Sequence, residues 1–450
     1  MKKIIVINSP IFENEDGKNN EDYLPPLGLG IIITSIDYYD VEFIDSIGDN
    51  LGLMKIITTI NKIKPNYVFT NIFTTNFQLV KKIVESVNII THWVIGGLST
   101  KSLYKEIFKW KTQNIIDIIY GDGELIVRDI VKSSVKESPF ETSNSNKRYF
   151  LIDPSSNYYV RDISNEKLNR EIFKNEPQIN IYGELEICIY TSRGCPFNCA
   201  YCVAANSRNL ELGKIRRKTM NGIISELNSI RSMHHEVKAI RILDDLFLSN
   251  KKSFDDAVSI FNKFDYKWRA MCHIKSIDNV EDHTLSKIMN SGCKELFIGI
   301  ESGSSRILKK IQKTHHVEVI KKSVKRVLKL GINVKGYFIC GFPCETNDEL
   351  KKTYELCKEL TDFANKNNAI FRNSTFQFRP YYGTELYDEI IALNNISRDS
   401  ILYKVKISHD LNENVRNKSF NFDSGNYSDV TDDELKRYIK QINDLNNEHV

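Results

Sequence analysis

Short apolar runs alternate with longer amphipathic segments along the first 135 residues of the chain. The runs have the length of buried strands, and the segments between them have helical length and spacing. The predicted strands are 3–8, 41–45, 66–71, 93–97 and 116–121, and the predicted helices cover about 27–38, 51–64, 75–88 and 100–112. This alternation predicts an α/β module with a doubly wound parallel sheet, in which ligands bind beyond the carboxyl ends of the strands.

A second alternating series begins near residue 186 and contains six strand–helix units. Its predicted strands are 186–191, 239–244, 268–272, 295–300, 333–340 and 374–379. Six units predict a partial (β/α)6 barrel, because a closed barrel of this type has eight.

Polar segments separate and follow these two modules. Residues 136–183 have the Ser-, Asn- and Lys-rich composition of a linker, with a short hairpin expected near 149–160. The last 60 residues are Asn-rich and polar, with one predicted helix at 431–444. We therefore divide the chain into a sheet module at 1–135, a linker at 136–183, a barrel at 184–390 and a C-terminal polar extension at 391–450.

Composition narrows the class of protein. The chain is 41% hydrophobic, which excludes a largely disordered protein, and its net charge of only +4 gives no electrostatic argument for a nucleic-acid partner. It lacks a run of roughly 20 apolar residues such as a membrane span needs, so we expect no membrane partner and a cytoplasmic location. In that reducing compartment the nine cysteines are not expected to form a disulfide framework, and some of them become candidates for metal binding.

Three of the cysteines, Cys195, Cys199 and Cys202, lie close together just after the first predicted barrel strand. Their number matters, because a closed structural zinc site needs four ligands, whereas an iron–sulfur cluster held by three thiolates keeps one iron open to another ligand. Two alternatives remain: a zinc site whose fourth ligand comes from elsewhere in the chain, and cysteines that only pack.

This cysteine spacing, with an aromatic residue before the last cysteine, resembles the signature of the radical S-adenosylmethionine (SAM) enzymes. Further segments resemble motifs of that family in the same order along the chain: 193–196, 216–218, 243–247, 297–303, 341–346 and 380–384. One departure is Cys344, which stands where the family usually has glycine.

The resemblance implies that Cys195, Cys199 and Cys202 hold a [4Fe–4S] cluster whose open iron binds SAM. Reductive cleavage of SAM then yields a 5′-deoxyadenosyl radical that abstracts a hydrogen atom from the substrate, with electrons from an external donor such as flavodoxin or ferredoxin. The residues that the resemblance assigns to SAM contacts are Tyr201, Glu301, Ser302, Ile339 and Gly341.

Three more residues are candidates for catalysis: Asp244 and Asp245 after the second barrel strand, and His273 after the third. Each of these residues also has a structural interpretation. The aspartates can cap the following helix, and a histidine at this position can belong to the core. In the same way, Tyr201 can simply pack, and Gly341 can shape a turn.

The N-terminal module resembles the cobalamin-binding domain of one radical SAM branch, which has a Rossmann-like sheet. The resemblance lies in segments 25–30, 41–45, 96–97 and 121–124, and it implies a cobalamin site that includes Gly96, Gly97, Gly121 and Glu124. Only one histidine, His92, lies in the first 230 residues, and it precedes a predicted strand at the edge away from the ligands. We therefore expect no histidine ligand to cobalt. The alternative is a sheet that binds no cobalamin and acts as a lid or docking surface.

Together these features predict a radical SAM enzyme that acts on a small-molecule or peptide substrate, most simply by cobalamin-dependent C-methylation in a biosynthetic pathway. The alternative is a cobalamin-independent radical rearrangement, cyclisation or oxidation. A non-catalytic metal-binding module is disfavoured by the several SAM motifs. An RNA-modifying enzyme is disfavoured by the small net charge, since nucleic-acid binding depends on positive charge.

Overall fold

A computed structural model describes residues 2–10, 23–143, 146–313, 316–394, 404–405, 422–423 and 425–446. The elements of the first half, in chain order, are β1 (Lys3–Asn8), α1 (Leu27–Ser35), β2 (Asp40–Asp45), α2 (Leu53–Ile63), β3 (Tyr67–Asn71), α3 (Phe77–Ser86), β4 (His92–Gly96), α4 (Thr100–Phe108), β5 (Ile115–Gly121), α5 (Ile126–Lys132), β6 (Glu141–Ser143) and β7 (Lys147–Ile152).

These strands form one seven-stranded sheet in the order β2-β1-β3-β4-β5-β7-β6, and all its pairs are parallel except β6–β7. The predicted doubly wound parallel sheet is confirmed. The hairpin lies at 141–152 instead of 149–160, and its second strand extends the sheet beyond β5. Tyr149, Phe150 and Ile152 of β7 are buried, so this short apolar stretch belongs to the core although polar residues flank it.

The second half contains β8 (Gln178–Ile179), β9 (Leu185–Ile189), β10 (Ser192–Arg193), β11 (Arg216–Arg217), α6 (Met220–Met233), β12 (Ala239–Ile242), α7 (Lys251–Phe261), β13 (Lys267–Cys272), α8 (Ile274–Asp278), α9 (Asp282–Asn290), β14 (Cys293–Glu301), α10 (Ser305–Lys310), α11 (Val317–Lys329), β15 (Asn333–Cys340), α12 (Asn347–Lys366), β16 (Phe371–Gln377), α13 (Glu385–Asn394), β17 (Lys404–Val405), β18 (Phe422–Asp423) and α14 (Asp432–Asp444).

Six of these strands pair in parallel in the order β16-β15-β14-β13-β12-β9, and β8 adds an antiparallel edge next to β9. The sheet curls into a half-barrel, which confirms the predicted partial (β/α)6 architecture. At its other edge, Asn446 just after α14 accepts a hydrogen bond from the backbone N–H of Asn373 in β16 at 2.8 Å. The helix predicted at 431–444 thus covers the open side of the last strand.

No helix in the described part of the chain is long and apolar enough to cross a bilayer.

Charged side chains fill the amino end of the half-barrel. Arg269 of β13 binds Glu186 of β9 at 2.7 Å and Glu295 of β14 at 3.1 Å, and Arg372 of β16 binds Glu295 at 2.6 Å. All four side chains are buried. Charges at this depth require partners, so the four residues fix the spacing of non-adjacent strands at the end opposite to the ligand edge.

We expect Glu295→Ala to lower the free energy of unfolding by about 3–5 kcal/mol, because it leaves two buried arginines without this carboxylate. Urea unfolding followed by circular dichroism measures the change. The matched control is Glu355→Ala on the surface of α12, where the ion pair with Lys351 spans 4.0 Å between exposed side chains. That pair is worth about 0–1 kcal/mol. Equal losses in the two variants would contradict the structural role of the buried cluster.

Candidate cofactor site

The carboxyl ends of the two sheets face one cavity of about 830 Å³. Its lining from the N-terminal module includes Asn8, Gly28, Asn71, Gly96, Gly97 and Gly121. Its lining from the barrel includes Arg193, Cys195, Arg241, Asp244, Asp245 and Phe297. Parallel sheets gather their functional residues at this edge, so the cavity is where both modules are expected to bind ligands.

The three predicted cluster cysteines lie on a loop that leaves β9 and returns through the short β10–β11 ladder. The loop turns tightly on itself, since Cys202 N–H donates to the Cys199 carbonyl at 3.0 Å. It is also anchored from outside, because Ala200 N–H donates to the Ile311 carbonyl at 3.1 Å. These two backbone hydrogen bonds fix the conformation of the loop between Cys199 and Cys202.

The three thiols lie near one another. Burial is the main cause that raises the pKa of Cys202 to about 12, and the nearby charges of Cys199, Asp245 and Cys195 contribute to that rise. Burial also raises the pKa of Cys199, whereas the neighbouring Lys313 lowers it. Among the described residues no group of three or more Cys, His, Asp or Glu side chains is already arranged around the position of one metal ion. A cluster attaches each thiolate to a different iron, so a donor set of three cysteines fits a cluster with one open iron.

A buried ion pair lies against this loop. Lys313 Nζ is 3.1 Å from Glu301 Oε1, and the Tyr201 hydroxyl donates to the same oxygen at 2.7 Å. Burial lowers the pKa of Lys313, but Glu301, Cys199 and Cys202 together outweigh this effect and raise the pKa overall. Two of the predicted SAM contacts, Tyr201 and Glu301, are therefore joined to each other and to a lysine that the sequence analysis did not single out.

Asp244 holds the start of the cysteine loop. Its carboxylate accepts hydrogen bonds from the backbone N–H and the hydroxyl of both Thr191 and Ser192, at 2.5 to 3.0 Å. Both oxygens are thereby used in joining the ends of the first two barrel strands. The adjacent Asp245 instead has an exposed side chain and lines the cavity.

His273 packs face to face on Phe197 of the cysteine loop, with ring centroids 3.7 Å apart and planes 14° apart. Its Nδ1 accepts a hydrogen bond from Lys275 N–H, so Nε2 carries the ring proton. Burial lowers the pKa of His273 to about 2, which keeps the ring neutral. Within the described part of the chain Nε2 has no partner, and it is a buried donor beside the loop that a bound group would satisfy.

The remaining predicted SAM contacts lie at the ends of β14 and β15. The Ser302 hydroxyl is buried and accepts a hydrogen bond from Ser304 N–H at 3.1 Å. Ile339 is half-buried, and Gly341 N–H donates to the buried Glu345 at 2.6 Å. Three residues further on, Cys344 has a φ of 62°, the left-handed conformation that explains why glycine is the usual residue at this position.

A network of buried ion pairs joins the cysteine loop to the N-terminal sheet. Arg193, two residues before Cys195, binds Asp122 and Glu124 at 2.7 Å each, and Glu166 through a second nitrogen at 2.7 Å. Arg216 also binds Asp122. Burial is the main cause that raises the pKa of Glu166 to about 8, and Glu124 contributes to the rise whereas the charge of Arg193 opposes it. The side chain of Glu124, a predicted cobalamin contact, is therefore in contact with the barrel.

The predicted glycines of the N-terminal module differ in their surroundings. A Cβ at Gly97 would lie 2.8 Å from the Ile72 carbonyl oxygen, and one at Gly121 would lie 2.5 Å from the Ile152 carbonyl oxygen. Backbone packing alone therefore accounts for these two glycines. At Gly96 no atom lies within 4 Å of a Cβ position, and the residue opens onto the cavity.

His92 is placed as its position in the sequence predicts. It is the first residue of β4, at the end of the sheet away from the cavity, and its Nε2 lies 2.8 Å from Asp117 Oδ2. Its ring also stacks on Tyr67 with centroids 5.0 Å apart. This histidine is half-buried at the amino end of the sheet module and does not line the cavity.

Sequence reasoning missed Lys313, Glu166 and the role of Arg193. Lys313 is one of several lysines in the stretch 309–313, and nothing in that pattern distinguishes a buried lysine from an exposed one. Glu166 lies in the segment predicted as linker. The charge of Arg193 was visible in its motif, but its carboxylate partners come from parts of the chain about 27 to 71 residues away.

Comparison with known proteins agrees with this geometry. The family model of the radical SAM superfamily matches residues 189–357. An uncharacterised methyltransferase of Pyrococcus horikoshii is 30% identical over 392 residues, which cover 82% of this chain and 79% of that protein. Bacteriochlorophyllide d C-8(2)-methyltransferase of Chlorobaculum tepidum is 26% identical over 223 residues. This match covers 48% of this chain and 47% of that protein, so the chain spans about half of the length of this relative.

Two solved structures share the fold. The cobalamin-dependent SAM radical enzyme OxsB, with aqua-cobalamin and SAM bound, superposes with a TM-score of 0.65 at 15% identity over 97% of this chain and 66% of that one. The radical SAM methyltransferase TsrM of Kitasatospora setae, with tryptophan and a SAM analogue bound, gives a TM-score of 0.61 at 14% identity over 87% of this chain and 76% of that one. Together with the Pyrococcus relative, the matched family model shows that the chain is an enzyme of the radical SAM superfamily, whose members bind a [4Fe–4S] cluster and SAM.

Proposed function

We propose that this enzyme uses cobalamin together with SAM to methylate an unreactive carbon of a small-molecule or peptide substrate. The observation that carries the proposal is the shared cavity, which Cys195 of the cysteine loop and Gly96 of the sheet module both line. Methyl transfer requires both cofactors and the substrate within reach of one another, and one cavity between two ligand edges meets that requirement.

The residues around the cavity fit both groups. Cys195, Cys199 and Cys202 would hold the cluster, and the unpartnered Nε2–H of His273 lies beside their loop. Gly28 and Gly96 would lie against a corrinoid, because each leaves more than 4 Å of open space where a Cβ would stand. When bound, the cluster supplies the electron that cleaves SAM and the corrinoid supplies the methyl-transfer chemistry.

The chain's own residues position these groups. Asp244 ties the loop to the second barrel strand, and Arg193 ties it to the sheet module. Asp245 and Arg241 line the cavity and are candidates for substrate contacts. An external donor such as flavodoxin or ferredoxin would supply electrons.

Names of similar proteins support the proposal. The Pyrococcus relative is named a methyltransferase, the OxsB structure contains aqua-cobalamin and SAM, and a TsrM structure contains cobalamin and a [4Fe–4S] cluster. The small net charge supports a small-molecule or peptide substrate over a nucleic acid.

A second candidate function is radical rearrangement, cyclisation or oxidation without cobalamin. Two observations favour it: Glu124 is bound to Arg193, and Gly97 and Gly121 are explained by backbone packing. In this case the sheet module would close the cavity without binding a corrinoid.

The first test is the set of products formed from SAM. We expect the anaerobically reconstituted protein, given cobalamin, a reductant, methyl-labelled SAM and candidate substrates, to form 5′-deoxyadenosine, S-adenosylhomocysteine and a labelled substrate product. Mass spectrometry measures all three. If S-adenosylhomocysteine forms equally well without cobalamin, the corrinoid proposal is wrong. If 5′-deoxyadenosine forms without methyl transfer under any condition, the second candidate function is favoured.

The second test concerns the ligand set. We expect Cys199→Ala to lose most of the iron and the visible absorbance of the reconstituted protein, because three thiolates are needed to hold the cluster. The matched control is Cys344→Ala, which removes an exposed cysteine and should keep the wild-type iron content. A Cys199→Ala protein with unchanged iron content would show that the ligand assignment is wrong.

The third test concerns the corrinoid. We expect Gly96→Leu and Gly28→Leu to weaken cobalamin binding by about 10- to 100-fold, because overpacking a site costs about 1–3 kcal/mol. No atom lies within 4 Å of a Cβ built at either position, so we expect both variants to keep the fold and the iron content. Equilibrium dialysis with hydroxocobalamin gives the affinity. Unchanged affinity in both variants would contradict binding at this edge of the sheet.

A further inference from the structure

We infer that Lys313 is the counter-charge of the cysteine loop and that the Lys313–Glu301 pair sets the reduction potential of the cluster held there. In this inference Lys313 raises the potential and Glu301 lowers it. The inference rests on the proposed assignment of the cluster to Cys195, Cys199 and Cys202.

Lys313 is held against the loop by the backbone around it. It follows α10, and the carbonyl of Ile311, two residues earlier, accepts the hydrogen bond from Ala200 N–H at 3.1 Å. Ala200 is the neighbour of Cys199. The Lys313 side chain is only 10% exposed, so its charge lies inside the protein and not in solvent. It is close enough to Cys199 and Cys202 to interact electrostatically with both thiols.

Glu301 links the lysine to the other side of the loop. Its Oε1 accepts from Lys313 Nζ at 3.1 Å and from the hydroxyl of Tyr201 at 2.7 Å. Tyr201 immediately precedes Cys202. The ion pair is therefore hydrogen-bonded to the cysteine loop through a side chain of that loop.

The barrel strand β14 provides space for this pair. A Cβ built at Gly299 would lie 2.3 Å from Glu301 Oε1 and 2.6 Å from Lys313 Nζ. Both neighbours are the polar ends of the pair, so the ion pair occupies the place where a side chain at this position would stand. A side chain at 299 would displace the charged ends of the pair, and glycine leaves room for both of them.

A buried charge beside a cluster acts on its reduction potential. Thiolate-bound clusters gain negative charge on reduction, and their potentials depend on nearby charge and hydrogen bonds. A cation favours the reduced form and an anion disfavours it, and both effects are strong where water is excluded. Lys313 and Glu301 thus act in opposite directions, and their close pairing reduces the net effect.

This opposition distinguishes an electrostatic role from a structural one. If the pair only holds the loop in place, removing either partner disturbs the same contact, and the potential shifts in the same direction or not at all. If the charges act directly, the two single variants shift the potential in opposite directions, and the double variant lies between them.

The experiment is an EPR-monitored redox titration of the reconstituted cluster without SAM or substrate, on Lys313→Gln, Glu301→Gln and the double variant. We expect Lys313→Gln to shift the midpoint potential to a more negative value and Glu301→Gln to a less negative one. Lys313→Arg, which keeps the charge, should retain the wild-type potential. The matched control is Lys310→Gln on α10, whose ion pair with Glu389 lies near the surface.

An unchanged potential in Lys313→Gln, or shifts of the same sign in both single variants, would overturn the inference. Loss of the cluster from Lys313→Gln with recovery in Lys313→Arg would support it, and loss from both would contradict it. Failure of the ligand assignment is distinguishable, because the wild-type protein would then bind the cluster independently of Cys199.

Discussion

Arg193 is the residue on which the arrangement of the two halves depends. It directly precedes the cysteine loop, and it binds Asp122 and Glu124 at the ligand edge of the sheet module and Glu166 in the connecting segment. Arg193 is half-buried, but the carboxylates of Asp122, Glu124 and Glu166 that surround it are largely buried, so separating it from them would leave these charges without a partner. The loop that would hold the cluster is therefore fixed relative to the glycine-lined edge that would hold the corrinoid, and the cavity between them has a defined shape.

The same loop is held from three further sides by different kinds of contact. Asp244 binds the backbone at its start, His273 stacks on Phe197 in its middle, and the Lys313–Glu301 pair binds Tyr201 near its end. Catalytic groups must be held to a fraction of an ångström by the residues behind them, and these contacts provide that support. Two of the residues predicted to be catalytic, Asp244 and His273, have positions that suit this supporting role, whereas Asp245 faces the cavity.

The fold was largely predictable because its strands carry strong apolar signals and alternate with helices. Residues 3–8 and 333–340, for example, were predicted with the bounds that the structure has. The prediction of strands from apolar runs failed where polar residues are buried in the interior. Strand β16 begins at Phe371 instead of 374 because its second residue, Arg372, is buried against Glu295 and resembles a surface residue in sequence. Strand β7 was missed as part of the sheet because its buried residues lie inside a polar segment.

The site was predictable as far as short motifs extend. Spacing alone indicates three local groups: the cysteines at 195–202, the acidic pair after β12 and the glycine pair at 96–97. The members of each group lie within a few residues of each other. Lys313, Glu166 and the partners of Arg193 are brought in by tertiary packing from distant segments, and no local pattern marks them. Charge pairs of this kind depend on which side chains the fold buries together, which spacing in one sequence does not contain.

If the cluster and the corrinoid share one cavity, the two groups are close enough for a magnetic interaction. EPR spectra would be recorded on protein that contains the reduced cluster, cob(II)alamin, or both. We expect the signals of the two paramagnets to be broadened or split when both are bound. A spectrum that is the simple sum of the two separate signals, with both groups fully bound, would contradict a shared cavity.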